Sequence, residues 1–119
     1  MIARFDAAVD VTPVLADLLR STALMSVTRT DQEISILCEV GAAPKDVEID
    51  GPWRALYAGG PIPFGLTGVV AGLVDPLAAI ACPVFVASTF DGDVLLIPSD
   101  RHADAVAALL RAGHAIDRQ

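Results

Sequence analysis

Lysine occurs once, at Lys45, and eight basic residues face fifteen acidic ones, giving a formal charge of −7. The arginines are scattered, so no basic patch exists to neutralise a row of phosphates. This excludes a nucleic-acid partner and, by the same physics, an anionic membrane surface. Aromatic residues are few, with one Trp, one Tyr and four Phe. The core must therefore be built from Ala, Val, Leu and Ile. The two cysteines, Cys38 and Cys82, lie far apart and form no CxxC pair, so a cystine scaffold is excluded. They are expected to be reduced, buried thiols of a cytoplasmic protein. Charged residues make up only 19% of the chain and hydrophobic residues 54%, a balance that intrinsic disorder does not tolerate. A length of 119 residues suits one domain or two very small units sharing a core.

A secretory leader is not expected, because residues 1–10 carry Asp6 and Asp10 and lack an apolar run. Residues 55–74 hold no charge and are long enough to span a bilayer. They also contain Gly59, Gly60, Gly65, Gly68 and Gly72, with Pro61 and Pro63. These breakers divide the stretch into a strand end, a loop and a helix start, so no transmembrane helix is expected.

Residues 53–58 read as a strand, and residues 59–63 as a loop. Leu66, Val69, Val70, Leu73, Leu77 and Ile80 recur at helical spacing, which predicts a helix over about 66–80. Residues 84–88 and 94–97 read as two strands joined by a turn at Phe90, Asp91, Gly92 and Asp93. Ser99 or Asp100 is the expected cap of a last helix. Its core face is read as Ala103, Val106, Ala107 and Leu110, and Gly113 stands where a helix ends. The second half is thus strand, helix, strand, strand, helix. The first half repeats it weakly: a strand at 2–5, a helix opened by Thr12 and Pro13 running through Leu19, and strands at 25–30 and 34–39. Residues 40–50 hold Gly41 and Pro44 and no good second helix. A shift of 60 residues superimposes Asp31 on Asp91, Glu33 on Asp93 and Ile34 on Val94, which points to an internal duplication; the alternative is that any two hairpins of apolar strands align this well. Two such units should share a sheet or stack helix on helix, giving an α+β protein with antiparallel sheet and helices on one face.

Ser26, Thr28, Arg29 and Thr30, followed by the acidic, apolar strand 31–38, resemble one signature of the small bacterial proteins with tandem ACT domains. Trp53-Arg54, Gly65-Leu66-Thr67-Gly68, Pro76-Leu77-Ala78 and Ser88-Thr89-Phe90 with Asp93 resemble the other. These proteins are similar in turn to the ACT domains of the cytosolic arginine sensor (CASTOR-type) family of animals. The resemblance covers about residues 25–119. It implies a ferredoxin-like fold with two ACT-like βαββ(α) halves, 1–50 (degenerate) and 51–119. It also implies an amino-acid-binding, regulatory role. Gly92, where family members often carry a bulkier residue, and Val94-Leu95-Leu96, which replace an acidic-aromatic strand, depart from the pattern. The ligand's identity is therefore not carried over.

With the resemblance, Gly65, Leu66, Thr67 and Gly68 form the candidate carboxylate site, because N–H groups at a helix N-terminus attract an anion. The alternative is a plain loop-to-helix turn in which glycine supplies a positive φ. Asp93 is the candidate partner of an ammonium or guanidinium, worth roughly 1.5–3 kcal/mol as a charge-assisted hydrogen bond. Ser88, Thr89 and Phe90 complete the ligand-binding set. The alternative there is a pair of solvated turn carboxylates, Asp91 and Asp93. No third ligand or histidine neighbours them in sequence, so no metal site and no glycosidase pair is expected. His102 and His114 read as surface residues. With no GxSxG elbow and no cysteine beside a catalytic motif, the chain is expected to be no enzyme and to need no cofactor. A homodimer is expected, because units this small leave sheet edges and helix faces uncovered. The rival reading is a ligand-free ACT-fold module for oligomerisation.

Overall fold

The computed structural model describes residues 1–42, 47–57, 68–90, 92–114 and 116, and divides the chain into two compact units, Met1–Pro52 and Trp53–Gln119. Each unit has its own antiparallel sheet, of four and of three strands. Of the two expected arrangements, a shared sheet is not formed among the described residues. Backbone register explains this, since every ladder closes between strands of the same unit among the described residues.

In the first unit, Ala3 and Phe5 are buried and alternate with exposed Arg4 and Asp6 along β1 (Ile2–Asp6). That period of two fixes one core face. Helix α1 (Thr12–Leu18) packs Val14, Leu15 and Leu18 onto it, and Ile34, Ile36 and Cys38 line the neighbouring face. Strand β2 (Ser26–Arg29) pairs with β3 (Glu33–Leu37), β3 pairs with β1, and β1 pairs with the short β4 (Glu48–Asp50). The sheet order is β2-β3-β1-β4, so β1 and β2 run parallel with β3 between them. This is the split βαβ of a ferredoxin-like unit. Thr12 does not cap α1. Val11 is the N-cap residue, and Asp10 accepts the Thr12 N–H at 3.0 Å through Oδ1. The bonds to Thr12 hold the Asp10 carboxyl below its ordinary pKa. Strand β4 escapes sequence reading because it is three exposed residues long.

In the second unit, β5 (Trp53–Tyr57) and β6 (Phe85–Ser88) flank β7 (Asp93–Pro98) in the order β5-β7-β6. Leu95 and Ile97 of β7 are buried with Leu77 of α2 (Val69–Ala79) and with Ala105 and Leu109 of α3 (His102–Arg111). Val94 and Leu96, on the opposite side of the same strand, are buried too. A strand buried on both faces reads as the unbroken apolar run seen here. The core face of α3 is Ala105, Ala108 and Leu109, not the expected Ala103, Val106, Ala107 and Leu110; Leu110 is 45% exposed. Apolar residues fill every position from 105 to 110, so period alone leaves two faces open. The small Ala105 and Ala108 are buried, Ala105 in one cluster with Leu95 and Ile97 of the sheet. No side chain caps this helix either: Ser99 and Asp100 form a 3-10 turn with Arg101 ahead of it. Gly113 ends it as read, with φ +97° and the His114 N–H donating to the Leu109 carbonyl at 3.0 Å. Cys38 and Cys82 are free and buried, as expected, and burial pushes both thiols up from their ordinary pKa. No helix of the described residues is long and apolar enough to cross a membrane.

Helix α2 ends in a left-handed turn made by an alanine. Ala81 has φ +54°, and the Cys82 N–H reaches back to the Leu77 carbonyl at 2.9 Å. Arg101 completes the cap by donating to the carbonyls of Ile80 at 2.9 Å and Ala81 at 3.3 Å, a cation at the negative end of a helix. Cβ makes this conformation costly for alanine and not for glycine. Ala81→Gly is therefore expected to stabilise the protein by about 0.5–1 kcal/mol. The check is a rise in the urea midpoint with unchanged slope; a fall would show that the turn is not held in this geometry.

Candidate functional site

Three of the eight predicted site residues, Gly65, Leu66 and Thr67, lie outside the described residues, as does Asp91. The other five belong to two places on the second unit. Gly68 is the N-cap residue of α2, with φ +80° and its carbonyl accepting the Gly72 N–H at 2.9 Å. A Cβ there would meet nothing within 4 Å, so the need for glycine is conformational, not one of crowding.

Ser88 and Asp93 face each other as the last rung of the β6–β7 ladder. The Ser88 hydroxyl donates to Asp93 Oδ1 at 2.6 Å, a short bond to an ionised acceptor. One row inward, Tyr57, Val94 and Ala87 lie side by side across the sheet. Strand β5 therefore ends at the same end of the sheet that carries the Ser88–Asp93 pair. A carboxylate there, oriented by a hydroxyl, is chemically a receptor for a cationic group.

Thr89 and Phe90 do not fit their predicted roles as well. The Thr89 hydroxyl accepts the Gly92 N–H and donates to the Gly92 carbonyl, both at 3.1 Å, while the Thr89 N–H donates to that carbonyl at 2.7 Å. Its polar capacity is used to close the turn. Phe90 is 79% exposed, so its ring does not form an enclosed wall among the described residues. The first unit repeats the turn: the Thr30 hydroxyl accepts the N–H groups of Gln32 and Glu33 at 3.1 and 3.2 Å. The matching rung there is Arg29 with Ile34. The two hairpins therefore superimpose with a shift of 59 residues rather than 60. Asp93 corresponds to Ile34 and not to Glu33. The Ser88–Asp93 pair has no counterpart in the first unit.

A second feature escaped sequence reading. The first unit has an open hollow of about 500 Å³, lined by Arg4, Asp6, Asp10 and Glu48 together with Val9 and Val14. Arg4 is already engaged there by Glu48 at 3.5 Å and by Glu33 at 3.7 Å. All three side chains are well exposed, so these pairs contribute little. In the second unit, Arg54 Nη1 lies 3.4 Å from Nδ1 of His102. Partial burial first, and that guanidinium second, lower the His102 pKa.

The turn geometry separates structural from binding roles. Thr89→Val, which removes both hydroxyl bonds, is expected to cost about 1 kcal/mol, and Thr89→Ser almost nothing. Urea denaturation of the two variants measures this; equal stability of Thr89→Val and wild type would return the hydroxyl to the ligand.

A family model described as an ACT domain matches residues 48–111, more than half of the chain. A crystal structure of an Agrobacterium tumefaciens protein is similar at 35% identity and a TM-score of 0.83, covering 99% of this chain and 90% of that one. A Vibrio cholerae structure, described as a protein of unknown function and possible transport protein, is similar in fold at 14% identity. Its TM-score is 0.70, with 95% and 84% of the two chains covered. None of the curated proteins matches. With βαββα topology over residues 53–111, an α+β ferredoxin-like architecture and a similar crystal structure along nearly its whole length, this chain belongs to the ACT-domain family.

Proposed function

We propose that this protein is a non-enzymatic regulatory ACT protein that binds an amino acid at the hairpin end of its second unit. The observation that carries the reading is the Ser88–Asp93 pair at 2.6 Å, at the sheet end where β5 also ends. A free amino acid presents a carboxylate and an ammonium. The positive end of α2 suits the first, and Asp93 the second. Membership of a family with regulatory, small-molecule-binding character supports the same reading.

Several parts of the proposal go with it. The first unit is a degenerate second ACT-like half, supported by its split βαβ and by the repeated threonine-closed turn. The protein acts as a homodimer, in the cytoplasm, where free buried cysteines such as Cys38 and Cys82 stay reduced. One observation favours the rival, a ligand-free interaction module: Ser88, Thr89 and Asp93 already satisfy one another or their turn.

A thermal-shift screen of the twenty amino acids divides the two. Binding by one of them should raise stability by roughly 2.7 kcal/mol at a hundred times its Kd. Asp93→Ala should weaken that affinity by about 10- to 200-fold, the equivalent of roughly 1.5–3 kcal/mol, and leave the fold intact. No shift with any amino acid at millimolar concentration, or an affinity that ignores Asp93→Ala, contradicts the proposal.

A further inference from the structure

Pro76 lies inside α2. A proline has no N–H, so the carbonyl four residues earlier, that of Gly72, loses the donor that the regular helical ladder would give it. The structure supplies one from elsewhere: Nε2 of His114 stands 2.8 Å from the Gly72 oxygen. A carbonyl can only accept, so this ring nitrogen carries the hydrogen. His114 follows Gly113, and its backbone N–H closes the end of α3 on Leu109. One residue thus serves carbonyls of two helices, its backbone that of α3 and its side chain that of α2.

We propose that His114 is a positioning latch, whose imidazole replaces the hydrogen bond that Pro76 removes and fastens the first half of α2 to the end of α3. That half is held weakly by its own composition. It contains Gly72, a poor helix former, and it precedes the proline, where a helix bends most readily. The same residue links onward, since the Gly72 N–H donates to the Gly68 carbonyl at 2.9 Å. A path of two hydrogen bonds therefore runs from His114 to the N-terminal turn of α2. Any effect of the latch on a ligand rests on the amino-acid reading above; the latch itself stands on the geometry and is tested without ligand.

The test is a double-mutant cycle on the full chain, read by hydrogen exchange of the amides at residues 72–75. His114→Ala alone should lower their protection roughly fivefold, the change that one net hydrogen bond gives. Pro76→Ala restores a backbone donor for Gly72, and in that background His114→Ala should change protection less than twofold. His114→Gln, which keeps a side-chain N–H donor, should recover part of the loss. An effect of His114→Ala that is absent in the wild-type background, or equal in both backgrounds, overturns the proposal. A failed amino-acid screen leaves it untouched.

Discussion

The β6–β7 ladder sets Asp93 opposite Ser88, and that register governs the second unit. With β5 paired on the other side, it places Leu95 and Ile97 on the helix-covered face and Val94 and Leu96 on the other, all four buried. A slip of one residue would exchange the two faces against packing already fixed by α2 and α3. It would also part the hydroxyl from the carboxylate. Core packing and site geometry are thus consequences of one pairing, which the Thr89 turn closes at its tip.

Packing and caps then decide where the helices lie. Alanines at 105 and 108 form the side of α3 set into the core. Arg101 ties the start of α3 to the end of α2 through the Ile80 and Ala81 carbonyls, and His114 ties the end of α3 to Gly72 in the first half of α2. The helix pair is held at both ends by side chains whose targets are carbonyls that the regular helical ladder leaves without a donor.

Much of this was legible in the residues. The strand at 2–5 and the apolar run 94–97 are strands as expected, the glycine at 113 ends a helix, and both hairpins are present. What was not legible has physical causes. The face of α3 could not be chosen because both sides are apolar. The two hairpins align one residue away from the shift that the sequence suggests: the aspartates at 31 and 91 look alike, but the hairpin registers are set by turn-closing Thr30 and Thr89. Strand β4 is too short to show a period. At the candidate site, the glycine pattern and the turn carboxylate point to Gly68 and Asp93, which the structure places at the N-cap of α2 and opposite Ser88, while the Thr89 hydroxyl is spent on its own turn. His114 read as a surface residue; the signal was Pro76 four positions after Gly72, which announces a carbonyl in need of a donor without saying where in the chain it comes from.

The claim at the centre of this account is that small-molecule recognition occurs at the hairpin end of the second unit. It is met most directly by amide chemical-shift mapping of the isotope-labelled protein against each of the twenty amino acids at millimolar concentration. For at least one of them, the account predicts saturable shifts that are largest at Gly68, Ser88, Gly92 and Asp93. Saturable shifts confined to the first unit, around Arg4 and Asp10, or no saturable shift with any amino acid, would contradict it.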